Sequence, residues 1–375
     1  MSKRILITAT ELHLVQFWIY HIDRLIKDGF EVELVCSNVG DKLEQLKEKL
    51  VQAGNPRLTV VNLHRNPLNP DNINGYRQLR KYFKNNDYDI VITNEPVMGV
   101  MTRLAARNLR RRGTKVIYFA HGFHFWKGAP ALNWMIFYPI ERFASHFTDL
   151  IVTMNTEDYN LAEKDFKSCE VKYTYGIGAR LEKFCEDSGV RKQKRDELGI
   201  NGEKVIFTVS ELTDRKNLYL AFDAVKRVVE DGYDVKYYIR GVGPLEADYR
   251  KYLEENGLSD RVFLLGYGKD IMEMNNAADV FLFTSKQEGL PVAVMEAMSC
   301  NTPCVVSDIR GVNDLISDEN GGYLCPLGNS VAFALDIEKI LKEPQLKAEL
   351  TEHNKEKLEP YRIENVYEFL KELVS

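Results

Sequence analysis

The first half of the chain alternates short apolar runs with segments of helical periodicity. The runs lie at residues 5–7, 32–35, 58–61, 90–92, 116–119, 150–152 and 171–173. Between most of them apolar residues recur about every 3.6 positions, as at Ile19, Ile22, Leu25 and Ile26. Short strands that alternate with amphipathic helices predict βα units around a parallel sheet.

The second half repeats this pattern after a charged, poorly periodic stretch at residues 186–197, which we interpret as a linker. Its predicted strands lie at residues 205–209, 235–239, 262–265, 280–283 and 304–307. The pattern predicts two Rossmann-like, doubly wound α/β domains, residues 1–185 and 186–359, that face a central cleft. An amphipathic helix within residues 360–375 is expected to pack back on the first domain.

Composition and charge exclude several classes of function. Hydrophobic residues make up 45% of the 375 residues and charged residues 28%, which is globular composition. The net charge of -5 gives no electrostatic basis for nucleic-acid binding. No apolar run reaches the roughly 18 residues of a membrane-spanning helix, and the first apolar run fits a buried strand better than a signal peptide. The six cysteines contain no CxxC pair, so we expect reduced thiols, no zinc and a cytoplasmic protein.

The stretch at residues 283–308, FTSKQEGLPVAVMEAMSCNTPCVVSD, carries the most chemistry. A strand is expected to end near Thr284, and Pro291 is expected in the first turn of a helix that ends near Ser299. Asn301 follows and tolerates the left-handed conformation found after helix ends. The backbone amides of Leu290, Val292 and Ala293 would then form an anion site at the helix N-terminus.

Two carboxylates flank these amides, Glu288 before the helix and Glu296 within it. A ligand with hydroxyl groups on both sides of a diphosphate fits such a site, because carboxylates accept strong hydrogen bonds from hydroxyls. A nucleotide sugar is a ligand of this kind. The structural alternatives are a glutamate that complements the helix dipole at 288 and a solvated helix charge at 296.

The string as a whole resembles glycosyltransferase family 4, whose members share E-G-x-P-x(5)-E-A, matched here by Glu288, Gly289, Pro291, Glu296 and Ala297. The resemblance implies a GT-B fold and a retaining, metal-independent glycosyl transfer from a nucleotide diphosphate sugar, with no further cofactor. The implied catalytic residues are His121, Glu288, Lys216 and Arg215. The implied donor-binding residues are Gly122, Gly241, Gly266, Tyr267, Gly289, Leu290, Pro291, Val292 and Glu296. Tyr267 could equally be a tyrosine at the cleft rim.

In the first half of the chain, one loop differs from the family pattern, and another string restricts the resemblance to a subgroup of the family. The glycine-rich loop that many relatives carry after the first strand is replaced by Thr8-Ala9-Thr10-Glu11. The string HGFHFWKG at residues 121–128 resembles a bacterial subgroup that builds capsular and exopolysaccharides. The subgroup implies a glycan or polyprenyl-diphosphate-linked acceptor at the inner face of the cell membrane. The family as a whole implies a UDP-linked donor and a hexosyl or N-acetylhexosaminyl transfer.

Other basic and acidic patterns have a structural and a functional interpretation. Arg103, Arg107, Arg110 and Arg111 share one predicted helix face, which is either solvated or faces an anionic membrane surface or a polyprenyl diphosphate. Aromatic residues clustered at residues 123–138 favour the membrane. Asp87-Tyr88-Asp89 resembles a metal-binding Asp-x-Asp, but it immediately precedes a strand and we interpret it as a turn.

Two other functions remain open from the sequence. One is a nucleotide-sugar 2-epimerase on the same fold, which would convert the donor without an acceptor. The other is a catalytically silent subunit that binds a nucleotide sugar.

Overall fold

The computed structural model describes residues 2–39 and 43–375, and these divide into two units. The first unit comprises the chain up to Gly178 together with Glu364–Ser375, and the second comprises Ala179–Ile363. The sequence analysis placed the first boundary after residue 185. The second unit begins earlier because Ala179 and Leu181 are buried in its core.

The first unit contains seven strands and the helices between them. They are β1 Arg4–Glu11, α1 Leu12–Lys27, β2 Glu31–Val39, α2 Leu43–Gln52, β3 Arg57–Val60, α3 Asp71–Asn85, β4 Ile90–Asn94, α4 Pro96–Ala105, α5 Arg107–Arg110, β5 Lys115–Ala120, α6 Ala131–Ala144, β6 Leu150–Thr153, α7 Thr156–Asp165 and β7 Glu170–Tyr173. All seven strands predicted in this half are confirmed.

These strands form one parallel sheet in the order β3-β2-β1-β4-β5-β6-β7. Ile7 lies opposite Leu34 of β2 and Ile92 of β4, which fixes the register at the centre. Ile5 and Ile7 pack with α1 on one face, whereas Leu6 and Val91 pack with α3 and α4 on the other. The sheet is therefore covered on both faces, as expected for a doubly wound domain.

The second unit repeats this architecture. Its elements are α8 Ser188–Glu197, β8 Lys204–Val209, α9 Leu218–Glu230, β9 Val235–Arg240, α10 Glu246–Glu255, β10 Val262–Leu264, α11 Ile271–Ala277, β11 Val280–Phe283, α12 Val292–Ser299, β12 Cys304–Ser307, β13 Ser317–Asp318, β14 Gly321–Cys325, α13 Ser330–Lys342, α14 Leu346–Thr351 and α15 Asn354–Leu358. The strand order is β10-β9-β8-β11-β12-β14-β13, and every pair is parallel. The five strands predicted here are confirmed, whereas β13 and β14 were missed.

The predicted linker is wrong, because most of residues 186–197 form helix α8. None of its residues is buried, so it lacks an apolar period that would identify it. Arg191 and Arg195 instead bind the carboxylate of Asp279 at 2.5 and 3.2 Å. Arg191 also donates to the carbonyls of Asn276 and Ala278 at 2.7 Å. Guanidinium hydrogen bonds thus fix α8 to the second unit.

The last helix, α16 (Ile363–Val374), completes the core of the first unit. Tyr367, Leu370 and Leu373 are buried against α1 and the sheet. The Tyr367 hydroxyl donates to Asp28 at 2.8 Å, and Lys115 of β5 donates to the carbonyl of Leu373 at 2.9 Å. The second unit is consequently inserted between two segments of the first.

Candidate active site

In the second unit, the loops that follow β8 and β11 are tied together at the carboxyl edge of the sheet. The Thr284 hydroxyl donates to the carbonyls of Lys216 and Asn217 at 3.2 and 3.1 Å. The Lys286 amide donates to the carbonyl of Arg215 at 2.9 Å. Asn217, whose φ is 55°, turns the chain into α9. These bonds hold Arg215 and Lys216 beside Glu288, the first glutamate of the E-G-x-P-x(5)-E-A motif.

Glu288 accepts three hydrogen bonds on one oxygen. Its Oε1 lies 2.7 Å from Lys216 Nζ, 3.1 Å from Arg215 Nη1 and 2.7 Å from the Ser285 hydroxyl. Its Oε2 makes no hydrogen bond to any residue in the described ranges. The side chains of Glu288 and Lys216 are only 11% and 13% exposed, so this is a largely desolvated pair. One carboxylate oxygen is thereby fixed while the other stays available to a ligand hydroxyl.

Helix α12 begins one residue later than predicted. Pro291 is extended, with φ of -82° and ψ of 108°, and it precedes the helix, whose first residue is Val292. The amides of Val292 and Ala293 belong to the first turn, where no helix carbonyl can accept from them. A Cβ on Gly311 would lie 2.1 Å from the Gly289 carbonyl oxygen, so the loop before the helix is packed tightly. Asn301 has the predicted left-handed conformation, with φ of 50°.

Glu296 lies one turn into α12 and differs chemically from Glu288. It is half-buried, and no residue in the described part of the chain forms a hydrogen bond or ion pair with its carboxylate. This burial raises the pKa of Glu296 to about 7. At neutral pH the side chain therefore exchanges readily between an acid and a carboxylate.

Two glycines of the second unit, Gly241 and Gly266, allow backbone geometry that other residues would not. A Cβ on Gly241 would lie 1.7 Å from the Ser210 carbonyl oxygen, so only glycine allows this approach of the loops after β8 and β9. Gly266 has φ of 69° and accepts the Gly241 amide at 3.0 Å. Tyr267 beside it is 74% exposed. The structure therefore places a large aromatic face in solvent next to this turn.

In the first unit, His121 follows β5 and is held by an asparagine that the sequence analysis missed. His121 Nε2 lies 2.8 Å from Asn94 Oδ1 at the end of β4. Asn94 Nδ2 donates to the Thr8 carbonyl at 3.1 Å, and Trp18 Nε1 donates to Asn94 Oδ1 at 3.2 Å, which identifies Oδ1 as the acceptor. His121 therefore carries its proton on Nε2 and presents Nδ1 as an acceptor. Desolvation by the surrounding protein disfavours the charged ring and lowers the pKa of His121 to about 4, so the ring is neutral at pH 7.

Two further features of this edge were not predicted. Gly122 has φ of 130°, a conformation that favours glycine directly after His121. Glu95 has φ of 63°, which is strained for a non-glycine residue, and its carboxylate accepts the Thr10 amide. A lone asparagine or glutamate at a strand end gives no sequence signal, because the partners come from distant strands.

The predicted basic face is wrong at Arg103. This side chain is fully buried, and Nη2 pairs with Glu141 of α6 at 2.7 Å. Its guanidinium also lies 4.0 Å from the Tyr118 ring centroid. Phe123, Phe125 and the inner residues of α6 form part of the same core rather than a surface. Of the four arginines, Arg107, Arg110 and Arg111 are accessible and Arg103 is not, so the four do not form one membrane-facing row.

The Asp87-Tyr88-Asp89 segment is structural, as interpreted. Asp89 accepts the Arg4 amide at 2.7 Å, and Asp87 pairs with Arg112 at 2.8 Å. Across the two described ranges, no group of three or more His, Cys, Asp or Glu side chains is arranged to hold a metal ion. The same residues contain no helix long and apolar enough to cross a bilayer.

Comparison with known proteins matches both units to sugar-transfer families. Residues 15–170 match the model of Glycosyltransferase Family 4, and residues 190–357 match that of Glycosyl transferases group 1. The putative glycosyltransferase EpsD of Bacillus subtilis is 36% identical over 92% of this chain and 89% of its own. The UDP-Gal:alpha-D-GlcNAc-diphosphoundecaprenol alpha-1,3-galactosyltransferase of Escherichia coli is 30% identical over 86% of this chain and 83% of its own.

A solved structure agrees with this in fold. Anabaena HepE, crystallised with UDP-glucose, superimposes with a TM-score of 0.76 and 19% identity, covering 99% of each chain. The likeness in fold, together with the two parallel seven-stranded sheets, identifies the architecture as GT-B.

Proposed function

Because the chain belongs to glycosyltransferase family 4, we propose that it transfers a sugar from a UDP-sugar to a lipid-linked glycan acceptor, with retention and without a metal ion. The observation that carries the proposal is Glu288, whose Oε1 is fixed by Lys216, Arg215 and Ser285 while Oε2 has no such partner among the described residues. Two cations therefore lie at one carboxylate, three residues before Pro291, which precedes α12.

The cations and amides would stabilise the leaving diphosphate. Negative charge develops on the diphosphate oxygens as the glycosidic bond breaks, and preorganised donors aimed at that charge lower the barrier. Lys216 and Arg215 are the cationic donors, and the amides of Val292 and Ala293 add the helix N-terminus. Their combined charge supports a reaction that does not need a divalent ion.

The two glutamates are assigned to different parts of the donor. Glu288 Oε2 would accept from hydroxyls of the sugar, and Glu296 from those of the ribose. In the first unit, His121 is neutral and presents Nδ1 as an acceptor, and we propose it as a further catalytic residue. We propose substrate-assisted retention, in which the departing phosphate oxygen takes the proton from the attacking acceptor hydroxyl.

The acceptor and the donor base are supported by the relatives. The galactosyltransferase from Escherichia coli acts, by its name, on a UDP-galactose donor and a diphosphoundecaprenol-linked GlcNAc acceptor. HepE binds UDP-glucose. We therefore propose a UDP-linked hexose or N-acetylhexosamine as donor and a polyprenyl-diphosphate-linked saccharide as acceptor, in cell-surface polysaccharide synthesis at the inner face of the membrane.

Donor turnover with and without acceptor tests this proposal. Each UDP-sugar is incubated with the protein alone and with lipid-linked saccharides, and UDP release and the anomeric configuration of the product are measured by NMR. We expect UDP release only with acceptor and an α-product from an α-linked donor. Epimerised donor in the absence of acceptor would identify a 2-epimerase, and donor binding without turnover under any condition would identify a silent subunit.

Metal removal gives a second expected result. We expect the full initial rate in excess EDTA, because Lys216, Arg215 and the α12 amides supply the charge that a cation supplies elsewhere. The measurement compares rates in EDTA with rates after added magnesium or manganese. Activity that is lost in EDTA and restored by either ion would contradict the proposed diphosphate site.

The raised pKa of Glu296 predicts a pH-dependent affinity for UDP. If the ionised carboxylate holds the ribose hydroxyls, only that form is fully competent, and the apparent Kd rises as the ionised fraction falls. One pH unit below a pKa of about 7, that fraction is about one tenth, so UDP should bind about tenfold more weakly than well above pH 7. Calorimetric titration over this range measures the effect.

The Glu296→Gln variant is the control for this experiment. Glutamine keeps the shape but does not titrate, so only the titration of the UDP phosphate should remain in its pH profile. We expect weaker binding and a flatter profile than in the wild type. Parallel profiles for the two proteins would remove Glu296 from the ribose site.

A further inference from the structure

Helix α6 of the first unit is apolar on both of its faces. Its first charged residue is Glu141, near its end, and Glu141 is buried against Arg103. The inner face, with Trp134, Phe137 and Tyr138, packs on the core. The outer face carries five large apolar side chains that are 40–73% exposed: Leu132, Met135, Ile136, Ile140 and Phe143.

These five residues form one continuous stripe. Their spacing of three or four residues places them on one side of a helix, together with the exposed Pro139. A surface helix normally presents polar side chains at such positions. A row of this length is typical of a surface that another apolar phase covers.

A basic recess adjoins the C-terminal end of this stripe. It has a volume of about 490 Å³ and is lined by Arg107, Arg110, Arg111, His146, Phe147 and Asp149. The Phe143 ring of the stripe contacts Phe147 of the recess with centroids 5.3 Å apart. Arg110 pairs with Asp149 at 2.7 Å, which leaves Arg107 and Arg111, both exposed, as the excess positive charge.

We propose that α6 lies in the interfacial region of an anionic lipid bilayer, with the stripe among the acyl chains and the arginine recess on the lipid phosphates. The helix has 14 residues, too few to span a bilayer but enough to lie in its plane. Apolar residues beside arginines match a surface that is apolar inside and anionic outside. A two-fold dimer through the same face would instead bring two arginine clusters to one interface.

Sedimentation of the protein with vesicles tests the proposal. The vesicles are phosphatidylcholine with or without phosphatidylglycerol, and neither donor nor acceptor is added, so the result is independent of the transfer reaction. We expect wild-type protein to pellet with the anionic vesicles and to be released as the salt concentration rises.

Two sets of variants separate the stripe from the recess. Leu132→Ser/Met135→Ser/Phe143→Ser should lower the partition coefficient about tenfold or more, since three apolar side chains no longer enter the acyl region. The control Val51→Ser/Leu68→Ser/Ile73→Ser changes equally exposed apolar residues elsewhere in the first unit and should pellet like wild type. Arg107→Gln/Arg111→Gln should lower binding to anionic vesicles about tenfold at low salt, whereas Arg250→Gln/Lys251→Gln on α10 should not.

The outcomes are distinguishable from misfolding and from self-association. Tryptophan fluorescence should show the same unfolding midpoint for the stripe variant and its control. Wild-type binding that the stripe substitutions leave unchanged would overturn the proposal. So would light scattering that shows a dimer, dissociated by those substitutions, with no binding to vesicles.

Discussion

Replacing Lys216 by alanine should lower kcat by about 10²- to 10³-fold, the usual effect of removing one preorganised donor from a developing oxyanion. Lys216 is the less exposed of the two cations at Glu288, and its Nζ lies 2.7 Å from Oε1 and 5.2 Å from the Phe283 ring centroid. A desolvated ammonium acts more strongly on nearby charge than a solvated one. Initial rates at saturating donor measure the loss.

Lys286 provides the matched control for this experiment. It lies in the same pair of loops and pairs at 2.8 Å with Asp214, whose side chain is 82% exposed. A surface pair of this kind contributes little, so Lys286→Ala should retain kcat within about twofold. Equal losses in the two variants would mean that positive charge in general, rather than Lys216 in its fixed position, assists the reaction.

Replacing Arg103 by methionine should destabilise the first unit by about 3–5 kcal/mol. The substitution leaves the buried Glu141 carboxylate without its cation, and it also removes the contact with the Tyr118 ring. For a unit of this size the loss corresponds to a decrease in Tm of very roughly 6–20 °C. All three tryptophans, Trp18, Trp126 and Trp134, lie in the first unit, so their fluorescence reports its unfolding separately.

Two variants define the cause of this destabilisation. In Arg103→Met/Glu141→Leu the unpaired carboxylate is gone, and much of the lost stability should return. Arg112→Ala breaks an exposed pair with Asp87 and should cost no more than about 1 kcal/mol. A double variant no more stable than Arg103→Met would show that packing, rather than the buried charge, dominates at this position.

The strands that could be predicted are those whose own residues carry the signal. Runs of β-branched and aliphatic residues mark β1 to β12, and the signal is strongest in strands such as β4, β6, β11 and β12, in which every residue is buried. β14 begins with Gly321 and Gly322, and a Cβ on Gly322 would lie 1.8 Å from the Cys304 carbonyl oxygen. Glycine is therefore required where β14 approaches β12. The same glycines interrupt the run of β-branched and aliphatic residues from which a strand is predicted.

The parts of the candidate site that a local motif defines could be predicted from the sequence. The parts that depend on residues distant in sequence could not. The spacing of Glu288, Pro291 and Glu296 places them around the start of one helix, and the structure brings Lys216 and Arg215 to Glu288. Arg103 shares its helical spacing with accessible arginines, and its burial depends on distant partners, Glu141 of α6 and the Tyr118 ring. The different environments of the two glutamates likewise depend on tertiary contacts, which no spacing encodes.

The position of α16 has a consequence for the order in which the two units fold on the ribosome. Domains usually fold as they emerge, the N-terminal one first. Here Tyr367, Leu370 and Leu373, which complete the core of the first unit, emerge only after the entire second unit. The second unit is continuous in sequence and can fold during synthesis, whereas the first unit cannot complete its core until α16 has been made. The unit whose synthesis begins first therefore has its core completed only after the other unit has left the ribosome.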